Sequence, residues 1–291
     1  MFRNSPPLSR PRTGRRIVVA LAALAALVTG ATFAGTPASA QQSWAPADSA
    51  TIHPGVQTFT NGGQCTANFI LTDGADVFIG QSAHCSGTGG ATETNGCLAG
   101  SAPLGTEVEI NGATQPGELA YNSWLTMQAA GEADPDACQF NDFALVRIHP
   151  DDHGRVNPSV PAYGGPEGVG GETSFGETVY SYGNSSLRGG VTVLSPKTGT
   201  SLGTTANGWN HPVYTATPGI PGDSGSAFLD SEGRAMGVLS TLTLAPLPAS
   251  NGVTDFGLAL DYANDNTAAD YQLADGTEAF TPSLVGLVPL G

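Results

Sequence analysis

Three short stretches of this sequence carry side chains able to do covalent chemistry. Ser224 stands in Pro221-Gly222-Asp223-Ser224-Gly225-Ser226-Ala227, directly ahead of an apolar run. A serine hydroxyl is a weak nucleophile until a neighbouring base takes its proton. Glycines on both sides let the chain turn tightly and bring amide N–H groups near a substrate carbonyl. Each such donor to an oxyanion is worth roughly 3 kcal/mol. Gly, Asp and Ser are also common turn formers, so the stretch taken alone also reads as a hairpin turn. His84 stands in Gln81-Ser82-Ala83-His84-Cys85. A disulfide at Cys85 would pin the backbone beside it, which suits a base that must hold one position. Asp142 stands in Gln139-Phe140-Asn141-Asp142-Phe143-Ala144-Leu145-Val146, at the mouth of an apolar strand. A carboxylate there is costly to bury unless it accepts a hydrogen bond, for instance from an imidazole N–H. A strand-end cap or turn is the alternative role for that aspartate.

These side chains lie far apart along the chain, so the elements between them must bring them together. Of 291 residues, 40 are Gly and 21 Pro, and only 12% are charged, against about 25% in globular proteins generally. That composition argues against a helical bundle, which needs charged, strong helix formers. With 40% hydrophobic residues the chain has enough apolar side chains to build a core. From Thr51 onward, apolar runs such as 67–71, 77–79, 143–148, 179–182 and 235–239 recur at intervals of about eight to twelve positions. Turn signals including Asp73-Gly74, Asn111-Gly112 and Glu232-Gly233 separate them. The pattern predicts an all-β fold with no long helix. A Pro/Gly-rich stretch, residues 161–171, divides it into β units over 52–163 and 164–291, the second carrying a C-terminal extension, with residues 41–51 as a lead-in.

Residues 1–40 read as a secretory signal peptide, with a cut between Ala40 and Gln41. Five arginines fall in the first 16 residues, an apolar run covers 17–28, and Ala38-Ser39-Ala40 precedes the cut. The run is too short for a spanning helix, which needs about 20 apolar residues. Export would put Cys65, Cys85, Cys97 and Cys138 in an oxidising compartment, where an even number points to disulfides. Spacing leaves all three pairings open, and no CxxC suggests zinc. Beyond residue 40, five basic residues (Arg147, Arg155, Arg188, Lys197 and Arg234) face 25 acidic ones. A body so acidic repels nucleic-acid phosphates and anionic lipid.

Together, Ser-Ala-His-Cys, Asn-Asp-Phe-Ala-Leu-Val and Gly-Asp-Ser-Gly-Ser-Ala, in the order His, Asp, Ser, resemble the chymotrypsin-like serine peptidases of the bacterial secreted type. The resemblance covers residues 52–262. It implies two antiparallel six-stranded β-barrels with the active site in the cleft between them. It assigns Ser224 as nucleophile, His84 as general base and then acid, Asp142 as its orienter, and the amides of Gly222 and Ser224 as the oxyanion hole. It pairs Cys65 with Cys85, which leaves Cys97 with Cys138. It further implies a monomer acting on protein or peptide substrates, with no cofactor and no metal.

Two departures from the family pattern carry consequences. Ser226 replaces the last glycine of the usual Gly-Asp-Ser-Gly-Gly. No Lys or Arg occurs between residues 17 and 146, so no cut after a basic residue upstream of the triad can free an N-terminus to pair with Asp223. A buried Asp223 then needs another partner. Arg188 resembles the internal arginine of bacterial relatives, its alternative being an exposed loop residue. The family's primary pocket maps onto Thr217, Pro218, Ile220, Leu239, Ser240 and Thr241, an uncharged wall predicting a preference for apolar side chains. Asp255 at the pocket base would reverse that preference, and no histidine follows His211 to bind an acidic one. Glu132, Asp134 and Asp136 read as a solvated loop, and His53, His149, His153 and His211 lack companion metal ligands. An esterase using the same triad and a non-catalytic, peptidase-like binding module are the competing functions.

Overall fold

The computed structural model describes residues 42–90, 94–243 and 249–283. The signal-peptide expectation for residues 1–40 lies outside them. Among the described residues no helix is long and apolar enough to cross a membrane.

Short strands dominate, as the spacing of apolar runs predicts. The first group comprises β1 (Gln57–Thr60), β2 (Gly63–Thr66), β3 (Ile70–Asp73), β4 (Asp76–Gln81), β5 (Glu107–Ile110), β6 (Gly117–Asn122) and β7 (Ala144–Arg147). The second comprises β8 (Phe175–Tyr182), β9 (Pro196–Leu202), β10 (Asn210–Thr215), β11 (Ala227–Leu229), β12 (Ala235–Thr243) and β13 (Ser250–Asp255). A last strand, β14 (Gln272–Leu273), follows. The second group closes into a six-stranded barrel in the order β10-β13-β12-β11-β8-β9.

The first group corrects the expectation of two six-stranded barrels. It forms an eight-stranded sheet, β14-β3-β4-β7-β6-β5-β1-β2, that does not close. Its end strands, β14 and β2, do not pair with each other. The edge of β3 is taken by β14 from the far end of the chain, with Gln272 opposite Thr72 and Leu273 opposite Leu71. On β2, the Thr66 N–H donates to the carbonyl of Ser224 at 2.8 Å. β14 thus covers the edge of β3, and one backbone hydrogen bond links β2 to the serine turn, without closure of the sheet.

One continuous apolar cluster joins the sheet to the barrel. Phe69, Leu71, Phe143 and Tyr163 pack with Tyr180, Leu229, Val238 and Phe256, all buried. Phe256 stacks edge-on against Phe69 at 4.8 Å and Phe143 at 5.7 Å between ring centroids. It opens a helix that the turn-rich composition hides. Among the described residues the α-helices are α1 (Ser123–Ala130), α2 (Pro135–Phe140) and α3 (Phe256–Asp265). In α3 the buried residues Phe256, Ala259, Leu260 and Ala263 recur at helical spacing, and Asp255 caps the start by accepting from Leu258 N–H at 2.7 Å. The acidic loop before α2 is likewise structural. Asp134 caps α2, and Glu132 accepts from the amides of Ala133 and Asp134 and from the Tyr262 hydroxyl.

Candidate active site

Each chemically able side chain sits where a regular element ends. His84 lies in a short 3-10 turn (Ala83–Ser86) directly after β4, tied by a disulfide between Cys65 on β2 and Cys85. Asp142 lies between α2 and β7, and a second disulfide joins Cys138 on α2 to Cys97. Ser224 precedes β11 of the barrel. All three line one cleft of about 880 Å³ between sheet and barrel.

Asp142 grips His84 with both carboxylate oxygens. Its Oδ2 lies 2.6 Å from His84 Nδ1, and its Oδ1 accepts from the His84 backbone N–H at 2.9 Å. The Ser240 hydroxyl donates to the same Oδ2 at 2.6 Å. The carboxylate side chain is 5% exposed and the imidazole 28%, so the histidine is the more open of the two to the cleft. Burial depresses the imidazole's proton affinity, but the charge and hydrogen bond of Asp142 outweigh it, and His84 titrates above its ordinary value. Burial pushes the Asp142 carboxyl up, and His84, Ser240 and the His84 amide together hold it below the usual carboxylate range. With Nδ1–H bound to a carboxylate, Nε2 is the nitrogen left to act as a base. Among the described residues no hydrogen bond is made to the Ser224 hydroxyl, which is partly exposed in the cleft.

The backbone around Ser224 forms a tight turn. Asp223 N–H donates to Ile220 O at 2.8 Å, with Pro221 and Gly222 between. Gly222 has φ +94°, so the turn is type II, a geometry that reserves its third position for glycine. Neither the Gly222 nor the Ser224 N–H donates to an acceptor among the described residues. The Gly222 carbonyl accepts from Thr66 Oγ1 at 2.7 Å and Gln64 Nε2 at 2.9 Å, so β2 holds the turn. Gly225, at φ +89°, lies so close to β2 that a Cβ there would stand 2.4 Å from Thr66 O. Ser226, in place of the family's glycine, is buried and donates its hydroxyl to Asp223 O at 2.5 Å.

Asp223 is fully buried and carries two cations. Arg188 Nη2 pairs with Oδ2, and Lys197 Nζ lies 3.1 Å from the same oxygen. The Ser185 and Ile220 amides donate to the carboxylate as well. Sequence reasoning singled out Arg188 and missed Lys197, because nothing local marks a barrel-strand lysine as inward-facing. Burial pushes Lys197 down; Asp223 raises it less than burial and Arg188 together lower it.

Of the expected pocket residues, Ile220, Leu239, Ser240 and Thr241 line the cleft. Pro218 lies outside the lining, its carbonyl receiving Lys197 Nζ and Arg188 Nη2 at 3.4 Å each, and Lys197 also donates to Thr217 O at 3.2 Å. Asp255 is engaged elsewhere, 2.8 Å from His211 Nε2 and capping α3. Asn251 on β13 is a lining residue that the sequence did not disclose. Its Oδ1 accepts from Gly219 N–H at 3.0 Å and its Nδ2 donates to Thr241 O at 3.4 Å, so it ties the two walls together.

Several solved structures are similar to this chain. Thermobifida fusca protease A aligns with a TM-score of 0.50 at 20% identity, over 77% of this chain and 99% of that one. A glutamic-acid-specific serine protease that uses a histidine triad in substrate binding aligns at 17% identity over 72% and 96%, with a TM-score of 0.47. Nocardiopsis protease aligns at 17% over 76% and 98%, with a TM-score of 0.44. No protein-family model and no curated protein matches the chain. The likeness to Thermobifida fusca protease A defines the architecture: this chain has the fold of the chymotrypsin-like bacterial serine proteases.

Proposed function

We propose that the protein is an exported serine endopeptidase in which Ser224, His84 and Asp142 form a catalytic triad. One observation carries the reading: a buried carboxylate holds the His84 imidazole Nδ1 with one oxygen and the His84 backbone N–H with the other, leaving Nε2 free in the same cleft as a glycine-flanked serine. His84 Nε2 would take the Ser224 hydroxyl proton as Oγ attacks the scissile carbonyl carbon. The carbonyl oxygen, now negative, would be received by the N–H groups of Gly222 and Ser224. The imidazolium would then give its proton to the leaving amine nitrogen as the C–N bond breaks. Water would hydrolyse the acyl-enzyme by the same route.

Ile220, Leu239 and Thr241 make an uncharged wall, which favours apolar side chains before the scissile bond. Two disulfides and the composition of residues 1–40 support export. Digestion of a library of internally quenched peptides tests the reading. We expect cleavage after apolar residues by the parent and none by Ser224→Ala. Turnover of small acyl esters without any peptide cleavage would replace it with the esterase reading, and inertness toward both would favour a binding module.

A further inference from the structure

The residues of the oxyanion turn do not by themselves determine which way it faces. Proline at its second position is compatible with both type I and type II turns, and glycine at its third accepts φ of either sign. The two types differ by a flip of the central peptide, here the one joining Pro221 to Gly222. In one orientation the Gly222 N–H faces the cleft; in the other the Pro221 carbonyl does, because the two groups of a trans peptide point in opposite directions. An external contact must select between them.

Ser185 makes that contact. The Ser185 hydroxyl donates to Pro221 O at 2.6 Å. Ser185 is itself buried and held: its N–H donates to Asp223 Oδ1 at 3.0 Å, and its Oγ accepts from Leu187 N–H at 3.1 Å. The Pro221 carbonyl is therefore drawn toward Ser185, and the Gly222 N–H is turned the other way. Gly222 O, fixed by Gln64 and Thr66, belongs to the following peptide and does not settle the orientation of this one.

We infer that Ser185 is a positioning residue that locks the Pro221–Gly222 peptide with its N–H in the oxyanion hole. The inference rests on the peptidase reading above and adds a residue to it. It acts only through Gly222, and therefore on the charge that develops in the transition state rather than on the bound substrate.

The test compares the parent, Ser185→Ala and Ser185→Thr on a peptide substrate, a peptide aldehyde that mimics the tetrahedral intermediate, and the cleaved product peptide. For Ser185→Ala we expect kcat to fall roughly 10- to 100-fold with KM little changed, as when an oxyanion donor is weakened. The aldehyde should weaken by a similar factor while product affinity stays parental. Threonine keeps the hydroxyl and should restore most of the loss. Parental kcat and aldehyde affinity in Ser185→Ala would overturn the inference, as would parallel losses of substrate, product and aldehyde binding, which mark general damage to the cleft. Failure of a folded threonine variant to recover would also count against it. If the parent itself neither turns over peptide nor binds the aldehyde, the peptidase reading fails first and the role of Ser185 with it.

Discussion

At the scale of single residues, the chemistry turns on how Asp142 and Asp223 are satisfied. In the proposed mechanism His84 must be neutral to accept the Ser224 proton, and Asp142 raises its proton affinity. The acidic limb of kcat/KM should therefore climb through an apparent pKa above the ordinary histidine value of about 6.5. A pH–rate profile checks this, and a limb centred below that value would contradict it. The same shifts bear on stability. The raised His84 contributes stability that is fully present below about pH 6.5 and lost as pH rises through its folded value. The depressed Asp142 contributes stability present above about pH 4 and lost as pH falls through its lower folded value. Asp223 poses a different problem, being a buried anion between two cations. Asp223→Ala would strand Arg188 and Lys197 without their carboxylate, at about 3–5 kcal/mol. Arg188→Ala leaves Lys197 beside the anion and should cost less. Denaturant titration of both variants measures the order, and an equal or larger loss in Arg188→Ala would contradict it.

At the scale of elements, every catalytic candidate stands just outside a strand and is braced by a second element. The Cys65–Cys85 disulfide ties the His84 turn to β2 across a sequence separation of 20. Replacing both cysteines by serine should cost about 3 kcal/mol on the chain-entropy model, read from the shift in denaturation midpoint. Activity should fall more than on removing Cys97–Cys138, because Cys85 adjoins His84. The turn before Ser224, proposed to receive the oxyanion, is equally exacting. A Cβ at Gly222 would stand 2.3 Å from Gln64 Oε1 and 2.9 Å from Ser185 Oγ, in a left-handed conformation that alanine resists. Gly222→Ala should keep the barrel and lose roughly 100-fold or more in kcat, judged by peptide turnover beside circular dichroism. Motifs of this kind were legible because their chemistry is local: a glycine-flanked serine, a histidine beside a cysteine, an aspartate at a strand mouth. Lys197 and Asn251 were not legible. Their importance comes from strands β9 and β13 meeting the turn from distant parts of the chain.

At the scale of the whole molecule, sheet and barrel are joined by a shared apolar cluster, by the contacts of β2 with the serine turn, and by the C-terminal segment. After β14 joins the first sheet, this segment runs along residues 157–167. Thr281 N–H donates to Tyr163 O at 2.7 Å, the Thr277 and Glu278 amides donate to Ser159 Oγ, and Phe280 packs on Tyr180. Ending the chain at Ala269 should lower the melting temperature and expose the edge of β3; an unchanged melting temperature would contradict a clamping role. The mostly-β class followed from composition and turn spacing. The open first sheet did not, because pairing between β3 and a strand some 200 residues away leaves no trace in local periodicity. Helix α3 was hidden for the opposite reason, its short apolar stripe being masked by small residues and a turn-rich surrounding.

The most direct test of the proposed triad is covalent labelling with a fluorophosphonate probe, which reacts with an activated serine. The protein from Gln41 onward, Ser224→Ala and His84→Ala would be labelled side by side under oxidising conditions. We expect strong labelling of the parent, none of Ser224→Ala and a large loss in His84→Ala. A folded, oxidised parent that does not label, or labelling that survives in Ser224→Ala, would contradict the assignment of Ser224 as the nucleophile.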